Sequence, residues 1–167
     1  KPNVFANALY RRIKANPARK LRILTALSLL KPTGHSELEQ HFLEPLVQRL
    51  FGDYPDLEYA VDLRAKKLPP NIEVREFFMK TGDYLGNPAA QQGYISTNYT
   101  FVARDLMVQG LNVLAQAVGA HGEGDTLRLS LSSNTDTVIQ TVELFRAEGL
   151  PLLTIGAINR KMPFMPN

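Results

Sequence analysis

Residues 127–159 constrain the fold of this chain more than any other stretch. They read as a short apolar strand ending at Ser132-Ser133-Asn134, an amphipathic helix, and a second apolar strand ending at Asn159. This order predicts a β-α-β unit. Open parallel sheets bind their ligands at the carboxyl ends of the strands, where the backbone leaves the sheet. The two polar strand ends therefore indicate a ligand site without naming its chemistry.

Length and composition bound the class of protein. The chain has 167 residues, 44% of them hydrophobic and 21% charged, which is typical of one globular domain over residues 1–167. No apolar run approaches the roughly 18 residues of a membrane span, and no signal peptide opens the chain. We therefore predict a soluble, cytoplasmic domain with no membrane partner. The chain starts with a lysine and a motif runs into its last residue, so we expect truncation at both ends.

Metal and thiol chemistry find no support in the residue types. The chain has no cysteine, and its three histidines, His35, His41 and His121, are scattered. His35 and His41 lie six residues apart, a spacing that does not place them on one helix face. We therefore predict no metal site.

Six basic residues near the amino terminus raise the question of nucleic acid. They contribute to a net charge of +3 and are Arg11, Arg12, Lys14, Arg19, Lys20 and Arg22. No ribonucleoprotein pattern of basic and aromatic residues accompanies them, so a solvated helix face and loop is the preferred interpretation. A small anionic ligand would explain the basic excess equally well.

Hydrophobic periodicity and breaker residues predict alternating helices and strands. In the first half of the chain they predict a helix at 4–15 with Asn3 as N-cap, a strand at 21–30 buried on both faces, a helix that starts at the capping box of Ser36 and Glu39 and kinks or restarts near Glu44, and a short helix at 57–65. The run at 21–30 is also long enough for a helix, and periodicity alone does not decide between the two. In the second half they predict a strand at 71–78, a helical turn starting at Pro88, a polar strand or strand-like segment at 95–100, a helix at 101–109 and a strand at 111–118. Such alternation predicts an α/β fold with a mostly parallel sheet flanked by helices.

Familiar phosphate-binding and nucleophile motifs are absent from the sequence. Neither a P-loop nor a GxGxxG pattern occurs, and Gly119, Gly122 and Gly124 precede a strand, which favours a hairpin-like loop. Ser130 and Ser132 lack the glycines of a nucleophile elbow. The 132–136 tip instead precedes a helix amino terminus, which favours a bound carboxylate or phosphate. The alternative, left open here, is that Asn134 or Thr135 caps the helix.

Four segments together resemble the acetyl-CoA hydrolase/transferase family of the class I CoA transferases. They are GNPAAQQGYISTNY at 86–99, LNVLAQ at 111–116, LSLSSNTD at 129–136 and NRKMPFM at 159–165. Residues 2–13 resemble the first helix that follows an early glycine-rich loop in that family. The likeness extends, with variation, along the whole chain.

The resemblance implies the amino-terminal, three-layer, CoA-transferase-like domain of a longer enzyme. Such enzymes use a glutamate of the carboxyl-terminal domain, which is absent here, to form an acyl anhydride and then a glutamyl-CoA thioester. The implied partners are an acyl-CoA, a carboxylate substrate and the chain's own second domain, and coenzyme A enters as substrate of the parent enzyme rather than as bound cofactor. A freed inter-domain face could also lead to a homo-oligomer.

The resemblance assigns substrate-binding residues but no catalytic residue to this chain. Ser132, Ser133, Asn134 and Asn159 are expected to line the acyl side of the cleft, with Asn98 as a further candidate. Ala157 departs from the acidic or amide residue that relatives often carry, which places a polar contact there in doubt. The alternative function is a stand-alone binding or sensor domain of the same fold for a small anionic metabolite.

Overall fold

The structure, a computed structural model, describes residues 2–132 and 134–165. They form two compact units. The N-unit is Asn3–Tyr94, and the C-unit is Ile95–Asn167 together with Lys1–Pro2. Both combine helices with parallel strand pairs, so the predicted α/β class is confirmed. No helix among the described residues has the length and apolar character needed to cross a membrane.

The N-unit is built from one pair of parallel strands and the helices that precede and follow them. Leu21 lies opposite Ile72 and Thr25 opposite Glu76 in this pair. The elements are α1 (Asn3–Lys14), β1 (Leu21–Thr25), α2 (Glu37–Phe51), α3 (Glu58–Arg64), β2 (Ile72–Glu76) and α4 (Pro88–Gln92). The predicted helices at 4–15 and 57–65, the strand at 71–78 and the turn at Pro88 are thereby confirmed.

The core of the N-unit is formed by buried side chains of α1, α3 and β2. Every second residue of β2 points inward, beginning with Ile72 and Val74, as expected for a strand with one covered face. The fully or almost fully buried apolar residues are Tyr10, Leu57, Tyr59, Ala60, Leu63, Ile72, Val74, Tyr84 and Ala90. Asn7 lies among them, and its side chain bonds to Asp56 O at 2.7 Å and to Glu58 N–H at 2.9 Å.

Two expectations for the first thirty residues are wrong. Asn3 is the first residue of α1 rather than its N-cap, and its side chain donates to Pro55 O at 2.8 Å. The strand at 21–30 ends at Thr25, since β2 offers only five pairing positions. It is also not buried on both faces, because Arg22 reaches solvent and pairs with Glu73 at 2.6 Å.

The helix predicted from the capping box begins where expected and continues past Glu44 as one helix. Ser36 Oγ accepts from Glu39 N–H, while the Glu39 carboxylate accepts from His35 N–H at 2.7 Å. The helix then runs without restart to Phe51, with Pro45 inside it. A proline removes one backbone donor, and the flanking turns are long enough to carry the helix past this single loss.

The C-unit combines a mixed sheet with two helices that pack on each other. Its elements are a 3₁₀ turn (Tyr99–Phe101), α5 (Val102–Val108), β3 (Val113–His121), a second 3₁₀ turn (Gly124–Thr126), β4 (Arg128–Ser130), α6 (Thr135–Ala147) and β5 (Leu153–Ile158). The strand order is β4-β3-β5, in which β3 and β5 are parallel and β4 is antiparallel to β3.

Two expectations for the C-unit need correction. Because β3 and β4 form a hairpin, the stretch 127–159 is not a parallel β-α-β unit, whereas the predicted hairpin-like loop is confirmed. Residues 95–100 do not form a strand. The Asn98 side chain accepts from Thr100 N–H at 3.1 Å, and such local side-chain bonds favour a turn over a strand.

Candidate functional site

The two polar strand ends predicted from the sequence meet at one edge of the C-unit sheet. Ser130, the last residue of β4, lies opposite Gly119 of β3. Asn159 follows β5, and its N–H donates to Val118 O at 2.9 Å. The chain then returns, and Met165 N–H donates to Ser130 Oγ at 3.2 Å. The ends converge despite the reversed direction of β4, because β4 is only three residues long.

A close backbone crossing fixes this convergence. A Cβ added to Gly119 would lie 2.8 Å from Pro163 O, so the segment after β5 runs directly against β3 where only glycine fits. Asn159 shapes the turn into this segment: its Oδ1 accepts from Lys161 N–H at 3.0 Å, and its carbonyl accepts from Met162 N–H at 3.0 Å. Asn159 therefore has the turn-stabilising role of an amide at a strand end.

The amino terminus of α6 forms the other side of the site. Asn134 precedes it in the left-handed region, with φ 57°, and its side chain makes no capping bond. Asp136 acts instead: its carboxylate accepts from Thr137 N–H at 2.8 Å and from the Tyr99 hydroxyl at 3.2 Å. The Thr137 hydroxyl in turn donates to Tyr99 Oη at 3.0 Å. The helix thus supplies one carboxylate to its own positive end.

Ser132 lies between the two sides in a conformation rare for a residue with a side chain. Its φ is 59°, and its N–H donates to Ser130 Oγ at 3.3 Å. Its own Oγ is buried and has no hydrogen-bond partner among the described residues. Left-handed backbone at a non-glycine residue costs roughly 1–2 kcal/mol and is concentrated at functional positions. Ser133, the other predicted serine, lies outside the described residues.

Asn98 contributes through its neighbour rather than directly. Its Oδ1 begins the 3₁₀ turn that carries Tyr99 to the first turn of α6. The structure therefore brings together Ser130, Ser132, Asn134 and the Tyr99 turn, with Asn159 on the Ser130 side. Sequence reasoning missed the roles of Tyr99 and Asp136 in this arrangement. The available signal was an acidic residue in the first turn of a helix, which is common where the helix dipole is favourable.

An apolar cavity of about 540 Å³ lies between one face of the sheet and α6. Aliphatic side chains dominate its lining, including Leu114, Val118, Leu129, Leu131, Val142 and Leu152. Glu143 and Arg146 add one charge of each sign. Ligand pockets have this order of volume, and loosely covered helix-sheet layers also leave such space.

Half of the basic cluster near the amino terminus is paired with carboxylates. Arg11 pairs with Glu58, Lys14 with Asp62, and Arg22 with Glu73. Three of the six cations therefore face carboxylates rather than solvent alone, which weakens the footprint expected of a phosphate-backbone surface. Within residues 2–132 and 134–165, no cluster of three or more His, Cys, Asp and Glu side chains has a metal-binding arrangement.

Comparisons with protein-family models, curated proteins and solved structures gave no match.

Proposed function

We propose that this chain is the amino-terminal part of an acyl-CoA hydrolase or CoA transferase. The parent enzyme would move CoA between a short acyl-CoA and a carboxylate through a glutamyl-CoA thioester, with the glutamate outside this chain. The sequence resemblance motivates the reaction class. The observation that carries the proposal is the convergence of the two polar strand ends at Ser130, where the N–H groups of Ser132 and Met165 both reach its Oγ.

In this proposal the chain binds and orients, and the absent glutamate reacts. The Ser132 hydroxyl and the first-turn N–H groups of α6 are donors of the kind that hold a carboxylate or a thioester oxygen. Donors already in place stabilise the negative charge that develops on that oxygen during acyl transfer. The chain itself carries no group assigned to attack the thioester. We therefore expect the isolated chain to be inactive.

The first test measures thiol release from acetyl-CoA by the isolated chain. No release above the uncatalysed rate is expected, because the nucleophile of covalent catalysis is missing. Sustained turnover that scales with chain concentration would contradict the assignment of the reacting glutamate to another segment.

A second test locates binding by NMR titration of the chain with acetate and with acetyl-CoA. Saturable amide shifts are expected at 130–136 and 159–165, and we expect Ser132→Ala to weaken them. Ser36→Ala is the matched control, because Ser36 likewise lies just before a helix, where its hydroxyl accepts from Glu39 N–H, but belongs to the N-unit. Shifts that are absent, or equally sensitive to both variants, would remove the support for an acyl site at this edge.

The second candidate is a stand-alone binding or sensor domain for a small anionic metabolite. It is favoured by the amino terminus of α6, where the Asn134 side chain makes no capping bond. The Asp136 carboxylate opposes it, because it occupies part of that terminus with a negative charge. Removing that charge in Asp136→Asn should tighten acetate binding, since a bound anion would no longer be repelled.

The gene sequence beyond Asn167 separates the two candidates. A further domain of comparable size with a glycine-rich, glutamate-containing stretch supports the enzyme. A stop codon at that point supports the binding domain.

A further inference from the structure

The N-unit contains a buried polar cluster at the carboxyl ends of its two strands. Thr25 and Glu76 are the last residues of β1 and β2 and lie opposite each other. Glu76 is only 1% exposed. The Tyr59 hydroxyl bonds the Thr25 side chain and lies 2.8 Å from Ser28 Oγ. The edge where open α/β sheets bind ligands is thus filled here by the protein's own polar groups.

Arg64, at the end of α3, connects the two segments that leave these strands. Its guanidinium donates to Ser28 O, after β1, at 2.8 Å and to Asp83 Oδ2, after β2, at 2.5 Å. It also lies over the ring of Tyr84, 5.0 Å from the ring centre, within cation-π range. The Arg64 side chain therefore links the segment that follows β1 to the segment that follows β2.

Residues 77–87, which we call the strap, follow β2 and pack against Arg64. The strap's far end is held by Asn87, whose Nδ2 donates to Leu63 O at 2.7 Å. Two of its side chains are largely exposed, Phe78 at 59% and Leu85 at 82%. Gly82 and Gly86 have φ values of 82° and 68°, with no atom within 4 Å of an added Cβ. These glycines are required by backbone shape rather than by crowding, which makes them natural pivots.

Tyr84 brings the strap into the environment of Glu76. Its side chain is 5% exposed, and its hydroxyl has no hydrogen-bond partner in the described part of the chain. Burial and the negative charge of Glu76 raise the pKa of Tyr84 to about 12. Burial and the same carboxylate also raise the pKa of Tyr59, again to about 12. The two phenols and the carboxylate are thus all buried, and the charge of Glu76 acts on both phenols.

We propose that Arg64 latches the strap over the buried carboxylate of Glu76, and that releasing this latch opens the strap about Gly82 and Gly86 and admits water and small solutes to Glu76. The device controls access to an acid at a strand end in the N-unit. It is independent of the acyl-CoA function proposed above.

The test labels accessible carboxylates with a water-soluble carbodiimide and glycinamide and follows Glu76 by peptide mass spectrometry. In the wild type, Glu76 should react at least about tenfold more slowly than Glu37, which is exposed, because local opening is unfavourable. Arg64→Gln should accelerate labelling of Glu76 about tenfold, and Asp83→Asn should do so by a smaller factor because the contacts to Ser28 and Tyr84 remain. Arg11→Gln is the control, since it breaks an ion pair that is largely exposed.

Hydrogen exchange distinguishes strap opening from general unfolding. In the latch variants, amides of the strap should exchange faster while amides of β2 keep their wild-type rates. If Arg64→Gln does not fold, Asp83→Asn carries the test, because it leaves Arg64 in place. Labelling of wild-type Glu76 as fast as Glu37, unchanged labelling in the folded variants, or equal acceleration of strap and β2 amides would each overturn the proposal.

Discussion

The core of the N-unit, around α1 and α3, is packed more tightly than the layer between α6 and the sheet of the C-unit. In the N-unit, Leu63 is 2% exposed and Tyr10 is 1% exposed, and the buried amide of Asn7 has partners for both its donor and its acceptor. In the C-unit, Leu129 is 53% exposed, and residues of α6 and of the sheet line a cavity. This difference indicates which unit contributes more to stability and which offers a binding surface. Well-packed segments hold a fold together, and binding surfaces are drawn from the loosely packed ones.

The largest expected contrast comes from truncating one leucine in each unit. Leu63→Ala should destabilise the protein by roughly 2–5 kcal/mol, because it leaves a cavity in a packed core. Leu129→Ala should cost less than about 1 kcal/mol, since half of that side chain already meets solvent. Urea unfolding followed by circular dichroism measures both. Equal losses would mean that the two units do not differ in packing.

Enlarging one side chain in each unit tests the same difference in packing, with a smaller expected change in stability. Ala60 is fully buried, so Ala60→Val should cost roughly 1–3 kcal/mol through overpacking. Val142 lines the C-unit cavity, so Val142→Leu should be neutral or stabilising by up to about 0.8 kcal/mol as the side chain extends into that space. Thermal melts of the two variants suffice. A destabilised Val142→Leu would indicate that the cavity does not accommodate the larger side chain.

The smallest expected effect is acid sensitivity in the N-unit. Burial alone would raise the pKa of Asp62, but hydrogen bonds from Lys14 and Tyr10 outweigh it and hold this pKa below its usual value. The resulting stability is present above the ordinary carboxyl pKa of about 4 and is lost as the pH falls through the lowered one. Solvent screening limits it to less than about 1 kcal/mol.

Asp62→Asn should therefore flatten the pH dependence of stability below pH 5 relative to the wild type. Asp53→Asn, at an exposed position of the same unit, is the control. Parallel curves for wild type and Asp62→Asn would show that the Asp62 interactions contribute nothing to folding.

Local features of this fold were predictable because their causes are local. The Ser36 cap, the proline at the start of α4 and the alternation along β2 each depend on residues within one or two turns. The hairpin-like loop after β3 also followed from its glycines. These features needed no knowledge of what packs against them.

Non-local pairing was not predictable from the same patterns. The apolar run 21–30 could not reveal that its partner strand has only five residues. The direction of β4 depends on pairing with β3, and three residues are too few for their apolar pattern to distinguish a parallel from an antiparallel neighbour. Contacts between distant residues were equally unpredictable at the candidate site in the C-unit. The sequence indicated Ser132, Asn134 and Asn159, but the contact of Tyr99 with the first turn of α6 spans 37 residues.

The buried phenols of the N-unit give the protein a built-in optical signal. The chain has six tyrosines and no tryptophan, so its near-ultraviolet absorbance comes mainly from phenol rings. Burial, with the carboxylates of Asp62 and Glu58 near Tyr10 and of Glu76 near the other two, raises the pKa of Tyr10, Tyr59 and Tyr84. These phenols ionise more readily once the unit unfolds, so its stability falls as the pH rises above 10. A stopped-flow jump into alkali would therefore resolve fast ionisation of accessible rings from a slow phase that times the opening of the N-unit.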